Sequence, residues 1–304
     1  MAFIDEPVVT EKEVGVRARW INGWHLFVLT SATITAFMLV RLVSTDFSSP
    51  QDLSAMIQYS VRWAVPFIFL VIAISALYRL FPGDVTRWLM RNRRYIGLSF
   101  AVAMAWQGAF IFIVSYFHSE HYYAEIYYLR DELEGSSGYL LLVAMTLTSF
   151  GVFRRHMSPG QWRFLHLSGV TFLWAYPFSV YWWNVFYYKT QYWFDVLFYV
   201  LGFAAFALRI LAWGRKRIED DVAWFQRGIG GCVMLCSLWL AATGHFWQPA
   251  LSAAVLSRPW SAELELWLPF WPFEPFLPLV TLALGVWFVS GAKVVNRLPR
   301  RAAA

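Results

Sequence analysis

The chain has 304 residues, of which 59% are hydrophobic and only 14% charged. A water-soluble domain carries about a quarter charged residues, so this composition excludes an ordinary soluble enzyme and predicts an all-α, polytopic membrane helix bundle whose first partner is a lipid bilayer. The net charge of +6 comes from bases scattered over short segments between apolar runs, where they set topology and form no nucleic-acid-binding patch.

Residues 1–19 are acidic and lack the basic start and short apolar core of a cleaved signal peptide, so they read as a cytoplasmic tail. About eight apolar spans follow, at 20–43, 60–81, 95–117, 139–153, 162–183, 192–213, 229–246 and 273–294. The third opens on Arg93-Arg94 and then runs more than twenty residues without a formal charge. One amide, Gln107, sits in its middle, where it needs a hydrogen-bond partner on a neighbouring helix, such as a Ser or Thr, or a chemical role. The fourth span is short and reaches a membrane's width only if Arg154 snorkels.

The turns alternate in charge. Five arginines, Arg79 at the end of span two and Arg87, Arg91, Arg93 and Arg94 after it, lead into span three, whereas the segment 118–138 has one arginine against five acids. The alternation continues to the end of the chain, so that about 20 of the 25 bases fall on one side; both termini are then cytoplasmic and the span number is even. The 18 Trp and 15 Tyr cluster near the ends of apolar runs, as an interfacial belt places them. Two outer segments exceed tight turns: 118–138, with room for a short helix outside the membrane, and 257–278, rich in Trp, Phe, Pro and Glu, which reads as interfacial. Pro177 is the clear interior kink candidate.

Candidate site residues are few. His166, one turn into span five, is an intramembrane ionisable group; its plainer reading is an interfacial histidine bonded to a loop carbonyl. His25 lies at a comparable depth in span one. His118, His121 and Glu125 fall at i, i+3 and i+7, so on a helix they share a face with metal-ligand spacing; the plainer reading is a solvated acidic face. His245 sits at the outer end of span seven and reads as interfacial, while Asp195 and Glu274 sit near outer span ends and read as solvated. Cys232 and Cys236, at i and i+4 in span seven, read as small buried residues outside any disulfide. Gly228, Gly230, Gly231, Ala241 and Ala242 in the same span suit close helix packing. No P-loop, dinucleotide fingerprint, HExxH or nucleophile elbow occurs, and no flavin or nicotinamide domain fits in the loops.

Two motifs carry a likeness. Arg-Arg-Tyr-Ile-Gly-Leu at 93–98 opens span three, Trp-Arg-Phe-Leu-His at 162–166 opens span five, and an acidic outer segment and a basic turn lie between them. In this order they resemble the ferric reductase-like transmembrane domain family, which includes the haem-binding membrane subunit of bacterial periplasmic methionine sulfoxide reductase systems. The likeness covers residues 20–213 as a six-helix core; residues 214–304 add two spans, the outer segment and a basic cytoplasmic tail.

The resemblance implies a multi-pass protein of a bacterial inner membrane that carries electrons on b-type haem held by histidines of the facing third and fifth helices. By spacing, the family's ligand positions fall at Gln107 and His121 in the third helix and its extension, and at His166 and Ser179 in the fifth. Each haem position thus keeps at most one histidine, and glutamine and serine are poor ligands for haem iron. The resemblance therefore implies an electron-transfer protein with one b-type haem on His166, or a bundle that holds none and serves as a membrane anchor or accessory subunit for a partner protein. A small-solute transporter ranks last, because mid-membrane polar groups and broken helices are scarce.

Overall fold

The computed structural model describes residues 19–190, 192–217, 222–256 and 273–291. Every regular element among them is helical, and five helices are long and apolar enough to cross a membrane. The main helices are α1 (Gly23–Leu42), α2 (Pro50–Leu80), α3 (Asp84–Phe117), α4 (Leu129–Thr148), α5 (Pro159–Phe186), α6 (Trp193–Gly214), α7 (Trp224–Ala242) and α8 (Leu277–Ser290). Helices α1, α2, α3, α6 and α7 are the five. Each of the eight expected spans has a helix, but α4 and α5 are less apolar than the five, and α8 has 14 residues. The terminal tails and residues 257–272 of the outer segment lie outside the described residues.

Local chemistry explains the helix starts. Ser49 and Ser158 cap α2 and α5, accepting from the Asp52 and Gln161 backbone N–H groups at 3.2 Å, and each is followed by Pro at the first helical position. Gln161 completes a capping box by accepting from the Ser158 N–H at 2.9 Å. Thr86 does the same for α3, accepting from the Gly83 N–H at 3.0 Å. Prolines interrupt the interior of α2 as well as α5, at Pro66 and Pro177, yet both helices continue past them. Helix α4 starts ten residues before the expected fourth span, because Leu129–Gly138 joins the helix ahead of the apolar run. The remainder of the 118–138 segment forms a short turn, Ser119–His121, and a wider one, Tyr122–Ile126.

Helix α2 is the centre of the bundle, with α3, α5 and α6 packed round it and α1 laid mainly on α3. Its Ile68, Phe69, Val71 and Ile72 are buried in the same apolar cluster as Trp174 and Phe178 of α5. Gly202 of α6 lets the helices close: a Cβ there would stand 2.8 Å from Phe69 Cζ and 2.9 Å from Phe178 Cδ2. The freed Gly202 carbonyl accepts from the Trp174 indole at 3.0 Å. Helices α7 and α8 pair with each other and join the core through α6, where Tyr199 donates to the Ala241 carbonyl at 2.7 Å. In α7 only Gly230 makes the expected close approach; Gly228 and Gly231 face open space, and Cys232 and Cys236 are exposed free thiols rather than buried. Ala241 is buried but Ala242 is exposed.

Candidate functional site

Antiparallel neighbours bring the end of one helix beside the start of the next. The C-terminal ends of α2, α4 and α6 therefore gather with the N-terminal ends of α3 and α5. Five helix ends enclose a cavity of about 590 Å³. Arg79 comes from α2, Arg91, Arg93 and Arg94 from α3, and Arg209 from α6, while Arg154 and Arg163 flank the turn into α5. His166 lies in the same wall, and among the described residues no carboxylate does. The deeper wall is apolar, with Ile68, Val71, Leu98, Phe100, Leu142 and Val170.

Arg93 and Arg209 are partly buried, and the Arg209 guanidinium reaches the Ile72 carbonyl at 3.4 Å. Aromatic faces hold two others: Arg154 lies 4.4 Å from the Trp162 ring centroid, and Arg94 sits 5.4 Å from Phe150 and 5.5 Å from Trp24. These contacts orient the guanidinium groups, and among the described residues no carboxylate in the cavity wall compensates their charge. Mutually repelling cations in a partly buried space are costly without an anion.

The structure separates the residues expected to meet at a haem. Gln107 and His166 both turn to α4, at different levels of it. The Tyr139 hydroxyl lies 3.1 Å from both Gln107 Oε1 and the Met104 carbonyl. His166 Nε2 lies 3.1 Å from Thr148 Oγ1 and the imidazole stacks on Trp162, centroids 4.3 Å apart. Thr148 Oγ1 also lies 2.7 Å from the Ala144 carbonyl, to which it donates its single hydrogen. The imidazole is then the donor to Thr148, which places the proton on Nε2 and removes the lone pair an iron would need there. Tyr139 and Thr148 are nine residues apart, about 13 Å along the helix, so Gln107 and His166 do not face each other.

The remaining positions also lie apart. Ser179 donates to the Tyr176 carbonyl of its own helix at 2.8 Å. His121 stands in the turn that follows α3, at the opposite end of that helix from Arg93. The donor set therefore does not fit a haem clamped between two helices. His118 Nε2 is 2.9 Å from the Phe47 carbonyl, Glu125 is exposed, and among the described residues no three His, Cys, Asp or Glu side chains gather to hold a metal ion. The outer segment is organised by a phenol instead: Tyr122 donates to Glu132 at 2.8 Å, and burial together with that carboxylate pushes the phenol up to about 12. His25 and His245 are exposed, and the His245 ring lies tilted against Phe246, centroids 3.9 Å apart.

Two acids read as solvated are buried. Asp195 is 2% exposed and accepts from Thr190 Oγ1 at 2.7 Å and Asn184 Nδ2 at 3.2 Å, so the turn between α5 and α6 folds over it. Glu274 is fully buried at the start of α8. The sequence offers one hint for Asp195: Asn184 and Thr190 lie close to it in the chain and both can donate. For the arginine cavity the hint was the basic turns themselves, whose convergence only the fold reveals.

No protein-family model matches the chain, and no curated protein or solved structure shows significant similarity to it.

Proposed function

We propose that the protein is a membrane-embedded accessory subunit on a ferric reductase-like frame, with its haem wire replaced by a hydrogen-bonded core. In this reading it spans a bacterial inner membrane eight times, both termini are cytoplasmic, and it anchors or packs against a partner protein. The observation that carries it is the separation of Gln107 from His166, each bonded to its own residue of α4. A bis-ligated haem needs two nitrogens on one iron, and this core supplies one histidine whose Nε2 is already engaged. The experiment is a visible spectrum of the purified protein, expressed with haem supplied, together with recovery from membranes in mild detergent. The expected result is no Soret band and a co-purifying partner. A stoichiometric Soret band contradicts the reading.

One observation favours the second reading, an electron-transfer protein with a single haem on His166. That histidine lies in the wall of a cavity whose arginines suit haem carboxylates. The same spectrum separates the two.

A further inference from the structure

The arginine cavity has a property that an anchoring role does not require. Its wall combines two chemistries. One end is cationic and, among the described residues, free of carboxylates, and the other is apolar, formed by side chains of α2, α3, α4 and α5. A ligand that satisfies both ends is an anionic amphiphile. Guanidinium groups match phosphate oxygens in paired, charge-assisted hydrogen bonds, and basic pockets between membrane helices are suited to phosphate-bearing headgroups.

The helix packing differs between the two levels of α4. Near its middle α4 approaches α3 closely: a Cβ on Gly108 would lie 3.4 Å from the Tyr139 ring, and the Tyr139 hydroxyl bridges to Met104 and Gln107. At the arginine-rich end α4 is tied to α5 instead, by the Trp162 indole donating to the Thr148 carbonyl at 3.2 Å and by the His166–Thr148 bond. Over its length α4 packs far more on α5 than on α3. At that end Arg93, Arg94 and Gly97 of α3 and Met145, Thr146 and Ser149 at the end of α4 all line the cavity.

We propose that this cavity binds the phosphate headgroup of an anionic phospholipid, held by Arg93 and Arg209 in the interior and Arg94 and Arg163 at the rim. One acyl chain then lies along Leu98, Phe100 and Leu142. The inference does not depend on the accessory-subunit reading, since the spectrum that decides that reading does not measure lipid binding.

The test uses the full chain in mild detergent, with native mass spectrometry and thermal unfolding as readouts. Phosphatidylglycerol, phosphatidylcholine and inorganic phosphate are added separately at equal ionic strength. Phosphatidylglycerol is expected to bind at one saturable site and to raise the unfolding temperature, while phosphatidylcholine and inorganic phosphate do not. Removing both interior cations in Arg93→Gln/Arg209→Gln is expected to weaken phosphatidylglycerol by about tenfold or more, whereas Arg41→Gln, on an exposed residue at the far end of α1, leaves it unchanged. If the interior double variant does not fold, the rim pair Arg94→Gln/Arg163→Gln, both exposed, is expected to show the same loss. Equal binding of the two lipids overturns the proposal. So does inorganic phosphate reproducing the stabilisation, which reassigns the site to a water-soluble phosphate. A Soret band that disappears with the arginine substitutions also overturns it, by assigning the cations to haem carboxylates.

Discussion

Restoring a histidine at the expected ligand position should not restore a haem. In Gln107→His the new imidazole replaces an amide whose oxygen lies 3.1 Å from the Tyr139 hydroxyl, while His166 lies 3.1 Å from Thr148. The two α4 partners are nine residues apart, about 13 Å at ~1.5 Å per residue. Tyr139 leans toward the N-terminus of α4, away from Thr148, so its hydroxyl does not shorten that distance. Subtracting both hydrogen bonds still leaves about 7 Å between the positions. Two nitrogens on one metal stand about 4 Å apart, at ~2 Å on each side. Closing the difference requires α3 or α5 to slide by roughly half a turn against α2, with the buried contacts of Ile68, Phe69 and Trp174 in the way. The assay is a visible spectrum of the variant and the parent, both expressed with haem supplied. Unchanged spectra are expected. A sharp low-spin haem spectrum in the variant alone would refute the geometry, because it needs Gln107 and His166 to face each other.

Other consequences follow from single contacts. Gly230→Ala should destabilise by about 1–3 kcal/mol in thermal unfolding, because its Cβ would meet the Gly285 carbonyl oxygen at 2.7 Å and backbone cannot rotate aside. Gly231→Ala faces open space and should be neutral or stabilise by up to about 1 kcal/mol; equal losses at the two positions contradict the α7–α8 packing. A double-mutant cycle of Tyr139→Phe and Gln107→Leu should give a coupling of about 0.6–1.7 kcal/mol, the range for interhelical hydrogen bonds in membranes, and simple additivity would show that the bond is not formed. Asp195→Ala should cost about 1–3 kcal/mol by stranding the Asn184 and Thr190 donors, whereas a loss within error would return the acid to solvent.

The helices were legible because each is an apolar run closed by charged turns, which is a local signal. The start of α4 was not: Leu129–Gly138 is polar enough to look like loop, yet its Leu, Arg and Glu residues favour helix, and hydropathy does not report helix that lies outside an apolar run. Gln107 was recognisable as a side chain needing a partner across the bundle, but the partner is Tyr139 rather than a Ser or Thr, and which helix faces it is a tertiary fact. Asp195 was misread because depth along a span does not reveal a turn folding over its end. The cysteines read as buried because they sit in an apolar run, but α7 presents them on a side that no other helix covers among the described residues. Arg93, Arg154 and Arg209 each read as a topology signal, since a cavity built from five helix ends has no pattern in any one of them.

The central claim is that this core does not carry haem between facing histidines. It is tested most directly by the absorbance spectrum of the purified full chain after expression with haem supplied. The account predicts protein absorbance without a Soret band. A stoichiometric Soret band, with the pyridine haemochrome spectrum of b-type haem, would contradict it.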